Sequence, residues 1–473
     1  MAHPGAMGIA TVAPGAIELA FSGRFGFGIY RWAYLPFDVP TGVQRIRVST
    51  SHQSFSFAGV ARNVLDLGIF GPAGHDLGNA AGFRGWSGGA RDHFEISSGY
   101  ATPGYLAGPI EPGPWTVALG PVVLSPWGMA WEAHVTMERG PAVSRLPESE
   151  VVQPIPIRSA TGARWYRGDL HLHTVHSDGE RHPEELASAA RASGLDFIVS
   201  TEHNTNSANR VWPACHTSGL LVIPGEEVTT RHGHWLAVGL PPHAWVDWRY
   251  GPSDGVFPRF AAEVRDGGGL VVAAHPSVPL PGAAWEFGFD DVDALEVWNG
   301  RWNLDDELTL RTWQRLLRQG RRIVAVGGSD SHGEHQQVGL PQTVVHAEEL
   351  STPAIIDGLR CGRSYLARSS DVALELTASC PSGDGLAGPG QTLRVPSGGR
   401  VTVTAVISGA AGTDVALITA EGRVRRATAG PERVRVQWEL DAASAHFARL
   451  EIREAQWRPL GAMVALTNPI WLA

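Results

Sequence analysis

Between Trp165 and about Ser370 the chain alternates short, continuous apolar runs with longer stretches in which apolar residues recur at helical spacing. The runs FIVST, LLVIPGEE, HWLAVGL, LVVAAHP, ALEVWN and RIVAVGGSDS predict buried strands. PEELASAARASG, FPRFAAEVRDGG, DDELTLRTWQRLLRQG and TPAIIDGLRCG predict helices, several ending in the Gly that a left-handed C-cap favours. Strands alternating with helices imply parallel pairing and right-handed crossovers, hence a barrel-like α/β domain.

The flanks have another texture. Residues 1–150 are rich in Gly, Pro, Ser and aromatics, with short alternating runs such as RIRVST, VLDLGIF and WTVALG, and predict an all-β sandwich. The stretch VSRLPESEVVQPIPIRSATGA interrupts any regular element and predicts a linker. Beyond about residue 371, ALELTASC, RVTVTAVISG, DVALITAEG, RVRVQWEL and FARLEIRE predict a second β module of immunoglobulin-like size. Three domains follow, 1–150, 151–370 and 371–473, with no solenoid-type repeat.

Composition narrows the function classes. With 43% hydrophobic and 18% charged residues over 473 positions, the chain has the make-up of a folded multidomain protein. A net charge of −9 gives no general pull toward nucleic acid or anionic lipid. No lysine occurs, so every fixed side-chain cation is an arginine, able to grip carboxylate or phosphate bidentately. Cys215, Cys361 and Cys380 are widely spaced and suggest neither a disulfide framework nor a thiolate zinc site, but reduced, buried thiols. The N-terminal residues lack a basic signal-peptide region and no run approaches a membrane span, so a cytoplasmic protein without a membrane partner is expected.

The chemistry collects where predicted strands end. In GDLHLHTVHSDGE, His171 and His173 are two apart on a strand and share a face, and Asp178 follows in the loop. His203 ends FIVSTEH, Glu227 follows LLVIPGE, His234 begins HWLAVGL, His275 ends LVVAAH, and Asp330 with His332 ends RIVAVGGSDSH. A single histidine after a strand is ordinarily a hydrogen-bonded structural residue. So many ionisable groups at buried strand ends have no packing rationale, and buried charges normally pair or bind metal. In α/β barrels the C-terminal strand ends are where chemistry resides.

Taken in order, DLHLHTxxSDG, STEHN, PGEE followed by GHWLAVG, AAHP and GGSDSHG resemble the PHP (polymerase and histidinol phosphatase) superfamily over about 200 residues. The N-terminal β module, EVWNG, GRSYL and ALTNPIWL resemble its carbaryl-hydrolase-like branch. The resemblance implies a distorted (β/α)7 barrel, flanked here by the two β-sandwich domains. It also implies two or three divalent ions. His171, His173, Glu227 and Asp330 would hold the first. Glu227, His234 and His275 would hold the second, and Asp178, His203 and His332 the third, with Glu227, His203 and Asp330 at the reacting centre. Glu227 is preferred to Glu226 because the family's ligand lies two residues after the glycine, here Gly225; His232 competes with His234. Imidazole and carboxylate donors without thiolate suit Zn, Mn or Fe.

Metal sites sharing a carboxylate can hold a bridging hydroxide, which makes the expected chemistry hydrolytic and dispenses with a Ser or Cys nucleophile. No GxSxG elbow occurs, and HGEH at 332–335 lacks the HExxH spacing. The superfamily implies a phosphoesterase acting on a small phosphoester or nucleotide, exonuclease-like in some members. The branch implies a carboxyl ester or carbamate instead. His176, Asn204, Arg231, Asn299, Arg301 and Arg363 are candidates to contact substrate; the plainer roles are simple exposure for His176, turn formation for the asparagines and solvated charge for the arginines. No general acid can be named from spacing. A third reading, from another class, makes the Trp-rich flanks a binding platform around an inert barrel. The basic stretch RVRRATAGPERVRV reads as a strand's solvent face.

Overall fold

The computed structural model describes residues 8–10, 16–27, 32–54, 63–123, 125–140, 163–280, 282–381, 385–455 and 461–473. The expected linker up to residue 162, and with it the boundary at 150, lies outside them. The described chain is mixed α/β and mostly strand.

Residues 16–139 form two antiparallel sheets. One orders Ala16–Phe25, Met129–Arg139, Val43–His52 and His93–Ser97, with Gly8–Ala10 at its edge; the other orders Ala33–Val39, Gly113–Val123, Val64–Phe70 and Phe83–Gly88. Period-two alternation explains the layering. Along Val43–His52, Ile46 and Val48 are buried while Arg47 and Ser49 face water, and the buried set shares one core with Trp115, Val117 and Leu119 of the other sheet.

The central strands are β1 (Arg164–Asp169), β2 (Phe197–Ser200), β3 (Leu221–Thr230), β4 (Gly233–Val238), β5 (Leu270–Ala274), β6 (Ala294–Asn299), β7 (Val324–Gly328), β8 (Gln342–Ala347) and β9 (Ser364–Ala367). They lie side by side in the order β7-β6-β5-β4-β3-β2-β1-β8-β9. The helices are α1 (Pro183–Ala192), α2 (Phe257–Asp266), α3 (Leu304–Arg318) and α4 (Thr352–Arg360), beside short turns. Gly194, Gly268, Gly320 and Gly362, just beyond them, are all left-handed.

Pairing is parallel for β1–β2, β2–β3, β5–β6 and β6–β7. By contrast β4 runs antiparallel to both β3 and β5, and β8 to both β1 and β9. Uniform parallel pairing fails because only Arg231 and His232 separate β3 from β4, enough for a hairpin but not for the crossover that parallel neighbours require. Nor are there helices enough among the described residues for seven strand–helix repeats. The sheet curls so that chain beyond β7 meets chain beyond β1: Leu172 bridges Ser331, and the Asp330 N–H donates to the His171 carbonyl at 2.8 Å.

Both flanking modules are packed onto this sheet. Phe83 stacks on Trp245 at 4.2 Å and Trp86 meets Trp248 at 4.4 Å, while Asp247 accepts the Gly78 N–H at 2.9 Å. On the other side the sheet does not stop near residue 370. Tyr365 of β9 pairs with Thr467, and the sheet continues through Met463–Thr467, Phe447–Glu454, Thr413–Thr419 and Gly422–Thr428. A separate four-stranded sheet holds Leu386–Ala387, Ala373–Ser379, Arg400–Ser408 and Val434–Asp441. None of the three cysteines is in a disulfide, and only Cys380 is buried; Cys361, expected inside, is exposed because it caps the C-terminus of α4. No helix among the described residues is long and apolar enough to cross a membrane.

Candidate metal centre

The alternation in DLHLH decides the first donors. Leu170 and Leu172 enter apolar clusters, which sends His171 and His173 to the other side, both fully buried. There the ends of β1, β2, β3, β5 and β7 and the start of β4 bring nine side chains into three overlapping groups. In each, one donor atom per residue lies within 4.8 Å of the others: His171, His173, Glu227 and Asp330; Glu227, His234 and His275; His173, Asp178, His203 and His332.

Glu227 sits at the centre. Its Oε2 lies 3.1 Å from His171 Nε2, 3.4 Å from His173 Nε2 and 2.9 Å from His203 Nδ1. Its Oε1 lies 3.0 Å from His234 Nδ1 and 3.1 Å from His275 Nε2. Asp330 Oδ1 is 3.1 Å from His173 Nε2 and 3.4 Å from His171 Nε2. At the outer edge Asp178 Oδ1 is 3.3 Å from His332 Nε2 and 3.5 Å from His203 Nε2. His173 belongs to two groups, a sharing that the sequence reading gave only to Glu227.

Local backbone geometry is bent to permit this. Asn204, His275 and Asp330 have φ of 56°, 26° and 49°, conformations that L-residues rarely adopt and that gather where surrounding structure imposes them. A Cβ on Gly328 would stand 2.5 Å from His171 Cβ, and one on Gly179 would stand 2.6 Å from the His173 carbonyl carbon. The glycines of GGSDSH and SDG are therefore required by close approach.

The donors are held by three carboxylates that the motif reading passed over. Glu296, 1% exposed, accepts from His171 Nδ1 at 3.1 Å, the His275 N–H at 2.9 Å and Asn299 Nδ2 at 3.0 Å. With Nδ1 so engaged, Nε2 of His171 is left as the inward-facing donor. Asp169 accepts the N–H groups of His171, Ser329 and Gly339, clamping the ends of β1 and β7 together. Glu202 accepts from the Thr174 N–H and Oγ1 and from Ser177 Oγ, fixing the loop that carries Asp178. The signal was present: Glu296 interrupts the apolar run ALEVWN, and a carboxylate inside a buried strand demands partners.

Two observations test whether cations fit. His171 Nε2 and Glu227 Oε2 are buried 3.1 Å apart without good hydrogen-bond geometry; poorly satisfied buried atoms cost about 1–3 kcal/mol each, which a shared cation would remove. The carboxylates also call for positive charge. Burial would raise Glu227 and Asp330, but imidazoles hold both well below the usual range, His203 and His171 in the case of Glu227 and His171 and His173 in the case of Asp330. Burial likewise opposes charge on His203, yet Glu227 and Asp178 push it up to about 10. Burial, with His203 and His332 adding to it, drives His173 down to about 3, a neutral imidazole. An imidazole and carboxylate set of this kind fits divalent metal.

The other candidates are placed as follows. His232 turns outward to Glu286, 2.7 Å away, leaving His234 in the cluster. His176 is buried and engaged with Ser207 Oγ at 2.9 Å. Asn204 is spent on the backbone of Thr229. Asn299 reaches Asp330 Oδ2 at 3.3 Å as well as Glu296. Arg231 stacks over Trp32 at 4.2 Å, so the first module contributes to the surroundings of the hairpin. Arg301 is exposed beyond β6. Arg363 is a correction: it pairs with Asp357 at 2.6 Å just before β9, whose first residue lies level with Val345 and Tyr166. Because β8 and β9 are antiparallel, that turn falls at the end of the sheet opposite the donors.

No family profile matches the sequence, and no curated protein compared with it does. Among solved structures, the chain is similar to a two-domain protein from Bacteroides vulgatus described as containing a PHP-like metal-dependent phosphoesterase, with 18% identity, 67% of this chain and 98% of that chain covered, and a TM-score of 0.39. A chain from Bifidobacterium adolescentis, described as a metal-dependent phosphoesterase, gives 20%, 41%, 95% and 0.29. An amidohydrolase from Chromobacterium violaceum, with bound sulfate and no metal, gives 19%, 36%, 89% and 0.27. Likeness at this level leaves the reaction to the side chains themselves.

Proposed function

We propose that the chain is a metal-dependent hydrolase of the PHP superfamily, acting on a small phosphoester, with two or three divalent ions of Zn, Mn or Fe as cofactors. The observation that carries this reading is the convergence of nine donors into three overlapping groups around the fully buried Glu227. His171, His173, Glu227 and Asp330 would hold one ion; Glu227, His234 and His275 a second; His173, Asp178, His203 and His332 a third. The chemistry such ions supply when bound is polarisation of the scissile group and acidification of water.

The chain's own residues do the positioning. Glu296 fixes the tautomer and tilt of His171, Asp169 holds the ends of β1 and β7 in register, and Glu202 sets the Asp178 loop. Asp178 and His332, the most exposed donors, mark the side from which substrate enters. With all three donor groups filled, the ions would supply concentrated positive charge, which would favour a tetrahedral phosphate anion over a planar carbonyl substrate. The retention of the whole donor set together speaks against an inert binding barrel.

The test is metal content by mass spectrometry, then turnover of aryl phosphodiesters, 3′,5′-bisphosphonucleotides, naphthyl acetate and carbaryl side by side. Phosphate-ester turnover is expected. Naphthol release alone would replace this reading with ester or carbamate hydrolysis, and a protein that retains no divalent ion would end both.

A further inference from the structure

We infer that the cleft between α3 and the strand Gly422–Thr428 binds a small anion carrying several phosphate groups, at a place distinct from the metal centre. The cleft has a volume of about 810 Å³, within the range of small-molecule sites. Eight of the chain's 38 positive side chains line it, against two glutamates, in a protein whose net charge is −9.

The cleft has a built floor and an unneutralised rim. On the floor Arg449, 1% exposed, lies over the Trp313 ring at 4.8 Å and donates through Nε and Nη2 to Gln314 Oε1 at 3.0 and 2.7 Å. Its Nη1 is buried with no hydrogen-bond partner although the residue lines the cleft. The two glutamates are already spent: Glu451 pairs with Arg449 at 2.9 Å and Arg453 at 3.2 Å, and Glu307 pairs with Arg453. On the rim, Arg311, Arg315 and Arg318 follow α3 at roughly one-turn intervals of about 5 Å, across from Arg423 and Arg426, which share a sheet face with Arg449 and Glu451; Arg425, level with the core residue Leu417, borders the cleft from the other face. All six are exposed, and none pairs with a carboxylate among the described residues.

A plainer account covers half of this. Gly422–Thr428 is the last strand of its sheet, and charge on an edge strand discourages pairing with other chains. That reason does not reach α3, whose three arginines stand across the cleft. Five uncompensated guanidinium groups around one space, Arg311, Arg315, Arg318, Arg423 and Arg426, repel one another and concentrate anions. A ligand bearing one carboxylate would leave most of them unmet, whereas each phosphate brings about −1.5 to −2 and matches the bidentate fork. The lining residues include no aromatic side chain on which bases could stack, which favours a compact polyphosphorylated anion over a nucleic-acid strand.

The test is calorimetric titration of the full chain with inositol hexakisphosphate and with tripolyphosphate at physiological salt, in the wild type and in Asp330→Asn, Arg315→Glu and Arg426→Glu. One-to-one saturable binding is expected, kept in Asp330→Asn and weakened by about tenfold or more in either arginine variant. Unchanged melting temperatures of the two surface variants show that they are folded. Binding kept by the arginine variants but lost in Asp330→Asn would place the anion on the metal centre and overturn the assignment. So would equal affinity for citrate, binding of a single-stranded oligonucleotide only, or no saturable binding.

Discussion

Replacing Glu296 by Gln removes one charge and exchanges one acceptor oxygen for a donor while keeping the shape. Glu296 accepts from three sides, at His171 Nδ1, the His275 N–H and Asn299 Nδ2, at 3.1, 2.9 and 3.0 Å. The amide can present its single oxygen to only part of this set, and its NH2 would face another donor, so His171 loses the partner that fixes its tautomer and tilt. Changes of this kind behind a metal-bound imidazole typically cost 10–100-fold in metal affinity or activity. By linkage, the same factor removes about 1.4–2.7 kcal/mol of the stabilisation that excess metal confers on the fold. Metal-free protein should respond otherwise, because the substitution takes one negative charge away from a crowd that includes Asp330 and Glu227. Its melting temperature should fall little or rise. The assay is competition with a chromophoric chelator, together with melting curves with and without added metal. If Glu296→Gln and Glu296→Ala both bind metal within twofold of wild type, Glu296 does not orient His171 and the account of the inner site is wrong.

Asp330→Asn should abolish hydrolysis while leaving far-UV circular dichroism unchanged; full activity would remove Asp330 from the site. His234→Ala should lose metal, whereas His232→Ala, whose ring faces Glu286, should retain metal content and turnover. Gly328→Ala places a methyl group 2.5 Å from His171 Cβ and should cost about 1–3 kcal/mol by chemical denaturation, with weakened metal binding; a neutral result would contradict the close packing. Arg91→Ala removes the 2.6 Å bond from its guanidinium to the Val175 carbonyl, by which the first module holds the loop before Asp178. It should reduce activity without unfolding the protein, and unchanged activity would show that the loop holds itself.

Much of the centre was legible from one dimension. A strand's period of two puts His171 and His173 on one side, and a donor that directly follows a buried strand has little freedom in where it lies, so candidate positions stand out before any contact is known; the choice of Glu227 over Glu226 came from the family resemblance. The helices were legible for the same local reason: their apolar spacing and terminal glycines are short-range properties. Glu296 and Asp169 were harder to see, because nothing near them in sequence reveals that they accept from His171 and Gly339.

Sequence alone determined which residue types stand at the strand ends, and hence that imidazole and carboxylate donors dominate there. Only tertiary structure decided how they are shared: that Glu227 faces five imidazoles, that His173 serves two groups, that His234 and not His232 turns inward, and that Arg363 lies at the far end. The reason is that direction and pairing of strands are long-range outcomes. A two-residue turn reverses β4, and the antiparallel run of β8 and β9 carries Arg363 away, though their neighbouring residues look no different in the sequence.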